Sequence, residues 1–137
     1  MAIDYGSAVR MFTLAGALEP DLDGPLITGP RVALEGVGVV IMTQASSVPW
    51  APTDGVARPL YSLINFTGGD AELRRIEADY ASAAEQVSNV ITARFAFQRT
   101  LRGLSISGAI STAAGLTLPL VATVGDAVKI LFPTVPV

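Results

Sequence analysis

Carboxylates are the main reactive groups this sequence offers. It contains no Cys and no His, which removes disulfides, thiolate nucleophiles, zinc clusters, haem ligation and any mechanism that needs an imidazole base. Acid–base chemistry would then fall to paired carboxylates. Glu72, Glu77, Asp79 and Glu85 share one segment with Arg74 and Arg75. At helical spacing these residues form i,i+3 and i,i+4 ion pairs on a solvated face rather than a catalytic pair. Asp21-Leu22-Asp23-Gly24 has the start of a calcium loop but lacks the third carboxylate and the closing Glu. Gly36-Val37-Gly38 lacks the third glycine of a dinucleotide fingerprint and lies within an apolar run. No Gly-Lys-Ser/Thr sequence exists, and the sole lysine, Lys129, falls in the last expected strand. The expectation is a protein that is not an enzyme, with no catalytic residue, no cofactor and no metal.

The elements that would position any site follow from composition and periodicity. The chain has 137 residues, 50% of them hydrophobic and 15% charged, enough for one domain with its own core and too apolar for intrinsic disorder. Its net charge of -3 argues against nucleic acid as a partner. Asp4 and Arg10 stand where a secretory signal needs a basic start and an unbroken apolar run. The charge-free stretch from Gly103 to Val124 alternates apolar and polar residues, so it reads as half-buried strands rather than a membrane span.

Residues 1–27 form an arm expected to be irregular, with a short helical turn near Ala8–Leu14. Pro20, Asp21, Asp23, Gly24 and Pro25 make a turn-rich acidic stretch. A single domain follows over 28–137. Thr28-Gly29-Pro30 is a helix start, and Arg31 to Met42 continues as a very apolar helix. Its glycines and β-branched residues leave a strand as the alternative for Val37–Met42. Thr43 to Gly55 is a loop, Val56 to Phe66 a short helix, and Ala71 to Val87 an amphipathic helix capped by Asp70. The period then changes to two. Strands are expected at Val90–Gln98, Leu104–Ser111, Leu116–Val124 and Ala127–Phe132. The fold class is α+β, with N-terminal helices packed on one face of a C-terminal antiparallel meander of three to four strands.

Contact residues are the remaining candidates. Arg94, Arg99 and Arg102 cluster around the first hairpin, either as a solvated rim or as a contact for an acidic partner. Trp50, the only tryptophan, either pins its Pro-flanked loop by packing or anchors an interface. The last strand, with Val128, Ile130 and Phe132, precedes Pro133-Thr134-Val135-Pro136-Val137. It is suited to pair with a neighbouring chain, unless the prolines guard the edge against such pairing.

A further set of residues carries a family likeness over about residues 26–132. Gly29-Pro30-Arg31-Val32-Ala33-Leu34-Glu35 opens a helix, and Thr43 follows it. Pro49-Trp50-Ala51-Pro52-Thr53-Asp54-Gly55 forms an aromatic-x-Pro-x-x-Gly loop, and Leu60 to Asn65 fits a short helix beyond it. Together with the long helix and the closing meander, this order resembles the baseplate wedge proteins of contractile phage tails. These are the lysozyme-like wedge or sheath-initiator family, with related subunits in type VI secretion and contractile injection baseplates. Many members carry Glu-Pro-Arg before the meander, where this chain has Gln86-Val87-Ser88-Asn89-Val90.

The resemblance implies a structural subunit of the virion tail baseplate, assembled in the host cytoplasm and present in several copies in a ring. Its implied partners are other wedge subunits, the tail sheath protein and the tail tube. It implies a wedge contact through Trp50, Pro52, Gly55 and Asn89, and a sheath contact by strand augmentation along Ala127–Phe132, with Arg94 on the neighbouring hairpin. The alternatives are a tail-completion or head–tail joining protein of the virion, and a small domain binding an apolar ligand between helices and sheet.

Overall fold

Thr28-Gly29-Pro30 starts a helix as its residue types require. The structure is a computed structural model that describes residues 6–13, 16–45 and 55–132. Helix α1 spans Pro30–Ile41, with Gly29 at φ 73° ahead of it and Pro30 in the first turn. There the missing N–H removes no intrahelical bond. Ala33, Leu34, Val37, Gly38 and Ile41 form its buried stripe. Burial of that stripe overrides the strand preference of Val37–Ile41, so the open choice at 37–42 resolves as helix through Ile41. Gly38 leaves room for the ring of Phe12, which a Cβ would meet at 2.7 Å. The Thr43 hydroxyl donates to the Val39 carbonyl at 2.7 Å and closes the last turn.

The expected helix over 56–66 shrinks to one 3-10 turn at Leu60–Leu63, flanked by extended Pro59 and Ile64. Upstream, the Val56 amide bonds Thr43 O and the Ala57 amide bonds Asp79 Oδ2. Those donors are held by other segments rather than by a helix. Helix α2 spans Asp70–Ala84 and buries Leu73, Ile76, Tyr80 and Ala84. Its N-cap is Gly69, not Asp70, and no side chain caps it. Asp70 and Glu72 instead sit in the first turn, where negative charge suits the helix dipole.

Four antiparallel strands follow. β5 (Val90–Arg99), β6 (Leu104–Thr112), β7 (Thr117–Val124) and β8 (Val128–Leu131) lie side by side in sequence order. One face is buried and shares a single core with both helices, including Phe95, Phe97, Ile106, Ile110, Leu120 and Ile130. Tyr80 reaches down from α2 and meets Phe95 and Phe97 edge-on, with centroids 5.8 and 5.3 Å away. The chain is thus α+β, helices N-terminal and sheet C-terminal.

The arm departs from expectation. In place of irregular backbone and a helical turn near 8–14, four short strands pair across it. Ser7–Ala8 (β1) pairs with Ile27–Thr28 (β4), and Arg10–Phe12 (β2) with Leu18–Asp21 (β3). Strands of two to four residues carry no readable period. Ser7 pairs with Thr28 far along the chain, and the β2–β3 hairpin, with Phe12 opposite Leu18, is too short to show a pattern. Among the described residues, no helix is long and apolar enough to cross a membrane.

Candidate functional site

The acids of α2 build structure instead of forming a solvated face. Glu72 pairs with Arg58 at 2.9 Å, and Asp79 accepts the Ala57 amide at 3.0 Å. Glu77 accepts the Phe97 amide at 2.6 Å and also pairs with Arg74. Glu85, just past the helix, accepts the Ala93 amide at 3.1 Å. The expectation of an ion-paired, water-facing stripe holds for Glu77 and Arg74 only in part. It failed because helical spacing says which residues share a face, not what lies against it.

This arrangement closes one edge of the sheet. Ala93 and Phe97 carry outward-pointing amides on β5, four residues or about 13 Å apart. Glu77 and Glu85 are eight residues apart on the helical path, about 12 Å. The two spacings match, and Ala81 between them is small enough to keep the helix close. The β5 edge therefore ends on carboxylates, one of the ways a sheet avoids pairing with other chains.

Tyr80 is held between these elements. Its hydroxyl donates to the Arg58 carbonyl at 2.6 Å. Burial pushes its pKa well above the ordinary tyrosine value; Asp79 adds to the shift and Arg58 opposes it.

Glu35, in the opening helix, is a buried carboxylate that composition and periodicity do not single out. It is 2% exposed. One oxygen accepts the amides of Met11 at 2.6 Å and Phe12 at 3.3 Å. The other accepts Arg31 Nε at 2.6 Å. Arg31 lies 5.0 Å from the centre of the Phe132 ring, and Phe132 meets Phe12 edge-on at 5.5 Å. One carboxylate thus fastens β2 to α1, with the C-terminal end of the described chain packed on the same cluster. The available signal was a lone acid on the apolar face of a helix, four residues after an arginine.

The expected contact residues scatter. Trp50 and Pro52 lie outside the described residues, as does the tail at 133–137. Gly55, at φ 104°, helps draw the loop ends together. Val56 N donates to Thr43 O and Ala45 N to Val56 O, both at 2.9 Å. Asn89 takes a positive φ of 69° ahead of β5, and its carbonyl accepts the Ala113 amide. Val128 is half-buried, the Ile130 side chain is in the core, and Phe132 is held by Phe12 and Arg31.

The outward side of β8 is touched by the arm. Ile130 N donates to Gly16 O at 2.9 Å. Gly16 adopts φ 91°, and a Cβ there would lie 2.9 Å from Ile130 O, so glycine alone suits this approach. Pro119 on β7 has no N–H to offer. The hairpin bond Thr112 N to Leu116 O sets the ladder alternation so that Pro119 N faces the β8 side. The expected basic cluster does not form. Arg94 points from the exposed sheet face, while Arg99 pairs with Asp70 at 3.5 Å, bonds the Gly68 carbonyl and lies 5.6 Å from the Phe66 ring centre. Positions 94 and 99 differ by an odd number and so take opposite faces.

The exposed face is flat and weakly charged. The register aligns Ala96, Ser107, Val121 and Leu131 across all four strands, beside the row Arg94, Ala109 and Pro119. Hydroxyl-bearing rows flank these, and Arg94 and Lys129 are the charged residues on the face. The space between helices and sheet is filled by Tyr80, Leu34, Ile41, Ile106 and Leu120. An apolar cleft of about 400 Å³ lies elsewhere, between the arm and α1, against Met11, Val32, Gly36 and Val39. Asp21 Oδ1 accepts the Gly24 amide at 2.9 Å, making a turn of the calcium-like fragment. Among the described residues, no group of three or more His, Cys, Asp or Glu is placed to hold a metal ion. No family model, curated protein or solved structure matches this chain.

Proposed function

We propose that this chain is a structural subunit of a contractile-tail baseplate, set around the tail tube and joining wedge subunits to the first sheath ring. It carries no chemical step of its own. The observation that supports this reading is the order of its parts. Helix α1, a loop clamped at Thr43 and Gly55, a short turn, α2 and a four-stranded antiparallel meander follow one another as the resemblance implies. A layer of helices on one face of that meander leaves the other face for neighbours.

The engagement of the α2 acids in structural bonds agrees with a part that works through its surfaces. Strand addition would use β8, because the β5 edge ends on Glu77 and Glu85. An incoming strand would exchange the Gly16 contact at Ile130 for a longer ladder. The wedge contact would use the loop carrying Trp50, Pro52 and Gly55, together with Asn89.

Gold-labelled antibody against the purified chain, applied to intact particles under the electron microscope, tests the placement. Label confined to the base of a contractile tail is the expected result. Label at the head–tail junction would reassign the chain to tail completion or head–tail joining. Particles without label would remove the virion reading and favour a domain that binds a small apolar ligand.

A further inference from the structure

Two surfaces of this chain carry opposite net charge. The first is the arm beyond Ala17. Between Ala17 and Leu26 the sequence holds three acids, Glu19, Asp21 and Asp23, and no base; Arg10 of β2 stands opposite Asp21, so the surface keeps a net negative charge. All four residues of β3 are exposed. Leu18, Leu22 and Leu26 stand in the same stretch at 39%, 79% and 57% exposure, so the arm is apolar as well as acidic.

The second surface is the outer face of the sheet. Its charged residues, Arg94 and Lys129, are both cations; at the hairpin end Arg102 adds a third and Asp126, lining the same hollow as Arg102 and Lys129, one opposing acid. None of the three cations enters an ion pair among the described residues. Between them runs the small and apolar row through Ala96, Val121 and Leu131, the last 40% exposed. A face whose central row is small apart from Leu131 admits an extended segment closely, and its two cations fix the sign of the partner.

The arm is fastened to α1 by Glu35 and to the β8 edge by Gly16. Its turn approaches Leu131 at that edge, while its acids form no ion pair with Arg94, Lys129 or Arg102 among the described residues. We propose that the acidic arm of one copy docks on the outer sheet face of a second copy, head to tail. Glu19 and Asp23 meet Arg94 and Lys129, and the arm's leucines cover the apolar row. The contact is heterologous, since each copy gives its arm and receives another's. Such a contact closes into a ring or runs on as a filament. The inference stands independently of the baseplate reading, because both surfaces belong to the isolated chain.

Sedimentation velocity on the purified full-length chain tests it. The wild type is expected to associate with rising concentration and to lose that association between about 0.1 M and about 1 M salt, as screening shortens from about 10 Å to about 3 Å. Two charge-reversed variants make the decisive comparison. Glu19→Lys with Asp23→Lys leaves arm and face both positive; Arg94→Glu with Lys129→Glu leaves both negative. All four positions are exposed, and circular dichroism checks that each variant is folded. Each variant alone is expected to self-associate at least about tenfold more weakly than wild type, and a 1:1 mixture to recover association.

A wild type that stays monomeric at every concentration would overturn the proposal. So would variants that associate alone as wild type does, or a mixture that stays monomeric. If a variant fails to fold, the salt dependence of the wild type decides: association that persists or grows in about 1 M salt contradicts a charge-matched contact.

Discussion

Along β5, the outward amides of Ala93 and Phe97 end on the carboxylates of Glu85 and Glu77. Along β8, the outward amide of Ile130 ends on a backbone carbonyl, that of Gly16. The first cover is built from charged acceptors on a helix whose Tyr80 is locked into the core between Phe95 and Phe97. The second is a glycine at the tip of a short hairpin. Charge-assisted bonds to a backbone N–H are about twice as strong as neutral ones, and a helix docked along its length leaves only as a unit. The β5 side of the sheet is closed by charged side chains, whereas the β8 side is covered by a single backbone contact that another chain could replace.

Glu35 provides the strongest test of that contrast, since it fastens the arm that carries Gly16. Glu35→Ala removes a buried acceptor from two amides and from Arg31, and breaking such a buried pair costs about 3 kcal/mol. Urea denaturation should show that loss. A change below about 0.5 kcal/mol would mean the arm is not held by this carboxylate.

On the β5 side, Glu77→Ala strips the Phe97 amide of its partner and should cost about 1.5 kcal/mol. Glu85 is exposed, so Glu85→Ala should cost about 0.5 kcal/mol by the same measurement. In about 1 M salt, where the charge-matched contact is screened, the double variant should associate more strongly than wild type in light scattering, because it leaves a long edge open. A double variant that associates no more than wild type at unchanged stability would show that the carboxylates do not guard this edge.

Tyr80→Phe loses the bond to the Arg58 carbonyl, and about 1 kcal/mol with it. The fold favours the neutral hydroxyl, so its pKa is raised on folding. That contribution is fully present below the unfolded tyrosine value of about 10 and is lost as pH rises above it. Wild-type stability should therefore fall above about pH 10 more steeply than that of Tyr80→Phe. Parallel pH profiles would remove Tyr80 from the account.

A small effect is also expected at Gly16. A side chain at φ 91° and 2.9 Å from Ile130 O cannot stay in place. A lightly held segment simply lifts away, so Gly16→Val should cost no more than the contact was worth, about 1 kcal/mol or less. A much larger loss would mean the β8 edge is as firmly covered as β5.

What the sequence made legible follows the range of the interactions involved. Pro30 after Gly29 marked the start of α1, the stripe of Leu73, Ile76 and Tyr80 marked α2, and period two marked the strands from Val90 to Leu131. These signals are local or repeat many times. The β2–β3 pairing was not legible, because it rests on partners such as Arg10 and Asp21 with too few residues for a period. Periodicity placed Glu77 and Glu85 on a helix face but not against β5, whose amides come from a later part of the chain. Glu35 was hidden for the same reason, since two of its partners are main-chain groups of Met11 and Phe12. Asp70 was read as a cap from its type alone, yet Gly69 takes that position.

Amide hydrogen exchange, residue by residue, tests the contrast between the two edges most directly. The Phe97 amide is expected to open only with the global unfolding of the core. The Ile130 amide should exchange at least about tenfold faster, by release of Gly16 alone. An Ile130 amide protected as strongly as Phe97 would contradict this contrast, for the β8 side would then be no more open to a partner than β5.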